Sequence, residues 1–240
     1  MSLKLLILFT VFFVNAIKAF TLTVNATKDN EILQVQGGDA DTSNFGTAIS
    51  LRVGMTGNTH FRSLIDFSGI SLPQNSVLVS ARIQVVRQFT SNQYIPCTTS
   101  VMESDDKTGC PSVHLVTKEW GEGMTSQPAV AGESTWIQSM FPTEWSNPGG
   151  DFQTEPVGRL LPPPRFLSTW EFELDAVRIR GALASSSSFF GFVLIDANNT
   201  GYVEFRSRER SAMNSFGTFS PSLILDFGEN PVATIDILQP

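Results

Sequence analysis

Three of the four tryptophans stand among glycines and carboxylates. Trp120 lies in Glu119-Trp120-Gly121-Glu122-Gly123, and Trp136 follows Gly132-Glu133-Ser134-Thr135. Trp145 opens Trp145-Ser146-Asn147-Pro148-Gly149-Gly150-Asp151-Phe152. Aromatic rings in loops beside amides and carboxylates suit sugar binding. The apolar C–H face of a pyranose stacks on the ring, and polar groups fix its hydroxyls. Large aromatics are mostly buried, so each ring is read first as a core plug or loop anchor and second as a stacking platform. Trp145, next to turn residues, is expected to be the least buried.

Other chemistries find little support. The chain has no G-x-S-x-G elbow, no H-E-x-x-H or C-x-x-C pair and no Gly-rich phosphate loop. Its two histidines, His60 and His114, lie in or beside strand-like segments and read as surface or packed side chains. Carboxylates are plentiful enough for a glycosidase pair, but no two are singled out.

The elements that must position these residues are mostly strands. Val77, Val79, Ala81, Ile83 and Val85 alternate with a mostly polar set, which predicts one long strand with a buried face. Val203 and Phe205 alternate likewise, as do Leu223, Leu225 and Phe227. Phe189–Ile195 is a nearly continuous apolar run, and Ser63–Phe67 and Ser112–Thr117 are further strands. Asp175–Ala184 is the one helix-like stretch. Turn residues around 71–75, 147–150, 162–164 and 198–201 separate these segments. Many short strands with regular turns predict an all-β antiparallel β-sandwich, with one domain over residues 20–228 and a tail over 229–240.

The composition agrees. The 240 residues hold 23 acidic against 16 basic side chains, for a net charge of −7, with 41% hydrophobic residues and 19 Phe. Such a chain is too apolar to be disordered and too acidic to neutralise nucleic-acid phosphates. No apolar run reaches the roughly 20 residues that a spanning helix needs.

Residues 1–19 read as an export signal: Lys4 precedes the apolar stretch Leu5–Val14, with small residues at Ala16 and Ala19. Cleavage after either alanine fits. A cut after Ala19 removes Lys4 and Lys18 and takes the net charge from −7 to −9. Export predicts a disulfide between Cys97 and Cys110 and glycosylation at the sequons of Asn25 and Asn198.

These segments, taken in order, resemble the DNRLRE domain, grouped with carbohydrate-binding module family 96. Asn44-Phe45-Gly46 and Leu51-Arg52-Val53-Gly54 are similar to its early segment. Arg62 through Phe67, Leu72-Pro73 and Ser80 through Ile83 are similar to its next strand pair. Val116 through Gly123, Ser134-Thr135-Trp136 and Trp145 through Phe152 resemble its Trp segments. Gly191 through Leu194, Phe205-Arg206-Ser207-Arg208-Glu209 and Pro221-Ser222-Leu223 resemble its closing strands. The resemblance covers roughly residues 26–228. The segment from Cys97 to Cys110 and the triple proline at 162–164 depart from it as insertions.

The resemblance implies a secreted, non-catalytic jelly roll that binds polysaccharide or a cell-surface glycan. It also implies a structural calcium ion, for which Asp151 is the first ligand expected and Asp29 the second, since calcium takes several oxygen ligands. Arg206 and Arg208 would share a strand face. They could grip a uronate carboxylate, but a structural ion pair with Glu209 or Glu204 is the favoured reading. An adhesive sandwich contacting protein partners is the alternative, and a polysaccharide-cleaving enzyme the remoter one.

Overall fold

A computed structural model describes residues 19–36, 42–74, 76–88, 111–124, 128–161, 169–185, 188–196, 201–212 and 220–229. Residues 1–18, Cys97, Cys110, Asn198, the triple proline and residues 230–240 lie outside them, and so do the expectations attached to them.

The strands are β1 (Phe20–Asn25), β2 (Lys28–Val35), β3 (Ser50–Thr56), β4 (Thr59–Asp66), β5 (Ser76–Val86), β6 (Ser112–Leu115) and β7 (Gln138–Met140). They continue as β8 (Thr143–Glu144), β9 (Gly158–Leu160), β10 (Thr169–Leu174), β11 (Phe192–Ile195), β12 (Tyr202–Arg206) and β13 (Ser222–Glu229). Among the described residues two helices join them, α1 (Ala176–Ala184) and α2 (Arg208–Ala212). The fold is all-β and antiparallel, as the alternation predicts. One sheet runs β1-β13-β5-β10-β9-β6-β11-β4-β3-β12, with β2 also on β4, and β7 and β8 form a separate hairpin. The sheet curls until its far end meets its middle. Arg87, just past β5, bridges to Phe205 of β12, and the Gln88 N–H donates to the Glu204 carbonyl at 2.8 Å.

The curl encloses the main core. Ile83 and Val85 of β5, Phe172 of β10, Phe192 of β11, Phe205 of β12 and Leu225 of β13 all point into it, and each is fully buried. Helix α1 closes one end with Ile179 and Leu183. Its first turn is capped by Asp175, whose carboxylate accepts the Val177 and Arg178 N–H groups at 3.0 Å.

The phase expected for β5 needs correction in its first half. Asp226 pairs with Ser80 but Phe227 pairs with Leu78, so Val79 is an extra residue in a bulge. The bulge turns Val79 outward, 65% exposed, and Leu78 inward. From Ala81 onward the alternation runs as predicted.

A second core lies on the outer face of β2, β4 and β11. Ile32, Leu64 and Val193 project there, on the opposite side from their neighbours in the main core. The chain between β6 and β9 folds over this face as a cap and drops Trp120, Trp136 and Trp145 onto it.

Candidate functional site

The three tryptophans are 1%, 5% and 4% exposed, in chain order, so none presents a ring face to solvent. All three are core plugs, the reading placed first, and Trp145 is as buried as the others, against the exposure expected of it. The indole N–H groups of Trp120 and Trp145 are satisfied inside. Trp120 Nε1 donates to the Phe190 carbonyl at 2.8 Å, and Trp145 Nε1 to the Thr135 carbonyl at 2.9 Å. The Arg62 guanidinium lies 4.8 Å from the Trp136 ring and donates to the Gly149 carbonyl at 2.6 Å.

Buried amides fasten the cap. Asn30 Nδ2 donates to Ser134 Oγ at 2.7 Å, and Asn44 Nδ2 to the Glu122 and Ser134 carbonyls at 2.7 and 2.9 Å. The backbones approach so closely that a Cβ at Gly46 would stand 2.2 Å from the Glu122 carbonyl oxygen. This is a physical reason for glycine in Asn44-Phe45-Gly46. Glu133, buried in the cap, accepts the Met124 and Val130 N–H groups at 2.7 and 3.0 Å.

Beside this fastening, three carboxylates from distant segments converge. Asp29 comes from β2, Glu122 from the cap and Glu209 from α2, and one oxygen of each lies within 4.8 Å of the others. The Asp29 N–H donates to Glu122 Oε1 at 2.7 Å, and the Arg208 N–H to Asp29 Oδ2 at 2.8 Å. The Arg208 side chain pairs with Glu122 at 2.7 Å and Glu209 at 3.0 Å. Burial, then the charge of Glu209, pushes the Asp29 carboxyl well above its ordinary range. Burial likewise raises Glu122, against the bonds from Arg208. Glu209 Oε2 is buried with no hydrogen-bond partner among the described residues. Among the described residues, the ion pairs in this cluster set one guanidinium against three carboxylates. Hard oxygen donors around unbalanced negative charge suit a divalent cation such as calcium. Of the two expected ligands, Asp29 is thus in a fitting place.

Asp151 is not. Its two oxygens accept the Ser146 and Asn147 N–H groups at 2.8 and 3.0 Å, and Lys118 stands 3.9 Å away. Partial burial works upward on this carboxyl, but those bonds and that charge outweigh it and hold it below its ordinary range. The residue caps the turn that follows Trp145. Arg206 and Arg208 do not share a strand face either. β12 ends at Arg206, which pairs with Ser50, and Arg208 opens α2. Between them Ser207 is buried and donates from Oγ to the Ala48 carbonyl at 2.6 Å. The ion pair of Arg208 with Glu209 is present; a paired arginine grip is not. His114 is packed, with Nδ1 2.9 Å from the Gln153 carbonyl and its ring against Phe152. Asn25 is exposed at the end of the edge strand β1, where its Oδ1 accepts the Ser222 hydroxyl at 3.0 Å.

A groove of about 420 Å³ lies elsewhere, between α1 and the ends of β6 and β11. Its polar lining includes Gln153, Arg178, Ser185 and Ser188, and among the described residues no Asp or Glu lines it. None of these four stood out as a binding residue in the sequence: Gln153 follows the Trp145 motif, and Arg178, Ser185 and Ser188 lie in and just after the helix-like stretch. Glu122 and Glu209 did carry a signal, since both fall inside the motifs of the resemblance.

No family model matches this chain, and no curated protein matches it.

Proposed function

We propose that the chain is an exported, non-catalytic carbohydrate-binding β-sandwich of the DNRLRE kind, braced by a calcium ion between Asp29, Glu122 and Glu209. The observation that carries this reading is the convergence of the resemblance's separate motifs. The Trp120-Gly121-Glu122 segment and the Arg208-Glu209 segment lie 86 residues apart in their ion pair, yet both meet Asp29 at one cluster. Scattered chance matches have no reason to meet. A groove whose described lining offers hydroxyl, amide and guanidinium groups but no carboxylate supports binding over glycoside cleavage, which needs two carboxyl groups.

A glycan array probed with the chain freed of residues 1–19 tests the reading. Retention on at least one class of polysaccharide is expected. Correctly folded protein that binds no glycan overturns it.

A second reading, contact with a protein partner, has its own support. Met124, Val130 and Phe141 are exposed on the cap, Met124 at 87%. Replacing all three by serine leaves glycan retention intact under the first reading and abolishes partner contact under the second.

A further inference from the structure

We propose that the groove beside α1 is the sugar site, and that it takes the end of a glycan, one or two pyranose rings, rather than a run of chain. The proposal rests on the carbohydrate reading above and assigns it a place.

A volume of about 420 Å³ falls near the lower end of ligand pockets, which span roughly 300–1,000 Å³. It has room for a chain end. The lining is divided as a pyranose is divided. Leu115 and the half-buried Phe189 ring offer an apolar wall for the C–H face, and Phe189 is held edge-on to Phe192 at 5.5 Å. Arg178, Gln153, Ser185 and Ser188 supply the polar rim. Arg178 is fixed before any ligand arrives. It donates to the Pro156 carbonyl at 2.7 Å, to Gln153 Oε1 at 2.8 Å and to the Glu155 carbonyl at 3.1 Å. A guanidinium has five N–H donors, so two remain for hydroxyl or ring oxygens. Such preorganisation lowers the ordering cost of binding. The tryptophans that a sugar binder would be expected to use are engaged in the cap, so recognition falls to these residues.

Gly181 provides the test. It lines the groove on α1, and a Cβ added there meets nothing within 4 Å. Gly181→Leu should fill the groove without strain, and a glycine removed from a helix interior favours the helix. The melting temperature is therefore expected at or above that of the wild type, which separates blocking from misfolding. The probes are glucose, galactose, mannose, N-acetylglucosamine and glucuronic acid, each as monomer and as oligomers of two to six units. Calorimetry on the wild type should find affinity for at least one series that stops rising by the dimer. Gly181→Leu should weaken that binding at least tenfold. Equal binding by both proteins overturns the groove while leaving carbohydrate binding standing. Affinity that keeps rising to the hexamer overturns chain-end recognition. If the wild type binds none of the probes and nothing on the array, the groove and the reading beneath it fall together.

Discussion

The molecule has two cores of different construction. The core inside the curled sheet is made by strands whose alternate residues face inward, and its contacts are almost wholly apolar. The core under the cap is made by one sheet face and a long, loop-rich excursion, and polar groups hold it as much as packing does. Asn30, Asn44, Ser134 and Glu133 are buried there beside Trp120, Trp136 and Trp145. A strand core is specified by period, whereas a loop core must be specified contact by contact. The carboxylate cluster belongs to the second kind. It ties the cap, through Glu122, to β2 through Asp29 and to α2 through Glu209.

The largest effect should come from the first core. Phe205 is fully buried and meets Trp170 and Phe172 edge-on at 5.7 and 6.0 Å. Phe205→Ala is expected to cost about 3–5 kcal/mol, and to lower protection everywhere in denaturant titrations. Loss confined to one region would break the distinction between the cores.

Calcium comes next. At one hundred times its Kd, a ligand of the native state alone adds about 2.7 kcal/mol. For a chain of this size that is a rise of about 5–10 °C in Tm on replacing EDTA with calcium. Asp29→Asn should abolish the response. In EDTA the same substitution should stabilise the protein, because it removes a carboxyl whose ionisation burial and the charge of Glu209 already oppose. An unchanged calcium response in Asp29→Asn would remove the cluster from the account.

Trp120→Phe deletes the indole N–H that bonds the Phe190 carbonyl and part of the ring. A loss of about 2 kcal/mol is expected, from the orphaned carbonyl and the cavity together. It should show as faster hydrogen exchange in the cap with β5 and β13 unaffected. Faster exchange in both places would mean that the cores are one cooperative unit.

The smallest effect lies on the uncapped side. Asp226 accepts from Ser80, Thr21 and Arg82, each at 2.6 Å, and these bonds pull its carboxyl down to about 2. A carboxyl lowered in the folded state contributes stability above its unfolded value, near 3.9, and loses it as pH falls through about 2. Asp226→Asn should thus cost about 1 kcal/mol at pH 7, a figure reduced for the solvent screening of a one-third-exposed side chain. The gap should close between pH 4 and pH 2. A gap that is constant with pH would assign the effect to packing.

The same division explains what the sequence could disclose. The first core was legible because Ile83, Val85, Leu223 and Leu225 repeat at the strand period. Even there the bulge at Val79 was hidden, since a one-residue insertion leaves the local composition unchanged. In the cap, the glycines around Trp120 and Trp145 marked turns but not the direction of the rings, which depends on Ile32 and Leu64 lying across the gap. In the sequence Asp151 and Asp29 are alike, acidic residues near turn signals or strand starts. Their difference is made by partners: two backbone N–H groups and Lys118 engage Asp151, while two other carboxylates crowd Asp29. The groove was illegible because Gln153, Arg178 and Ser188 share no motif and meet only where α1 lies beside the end of β6.

The proposed calcium ion would fasten the cap to the sandwich. Hydrogen exchange followed by mass spectrometry, in EDTA and in saturating calcium, tests it most directly. Calcium should raise protection in residues 118–124 and 132–141 and around Arg208, and leave β5 and β13 unchanged. No change on adding calcium, or an equal rise over the whole chain, would contradict it.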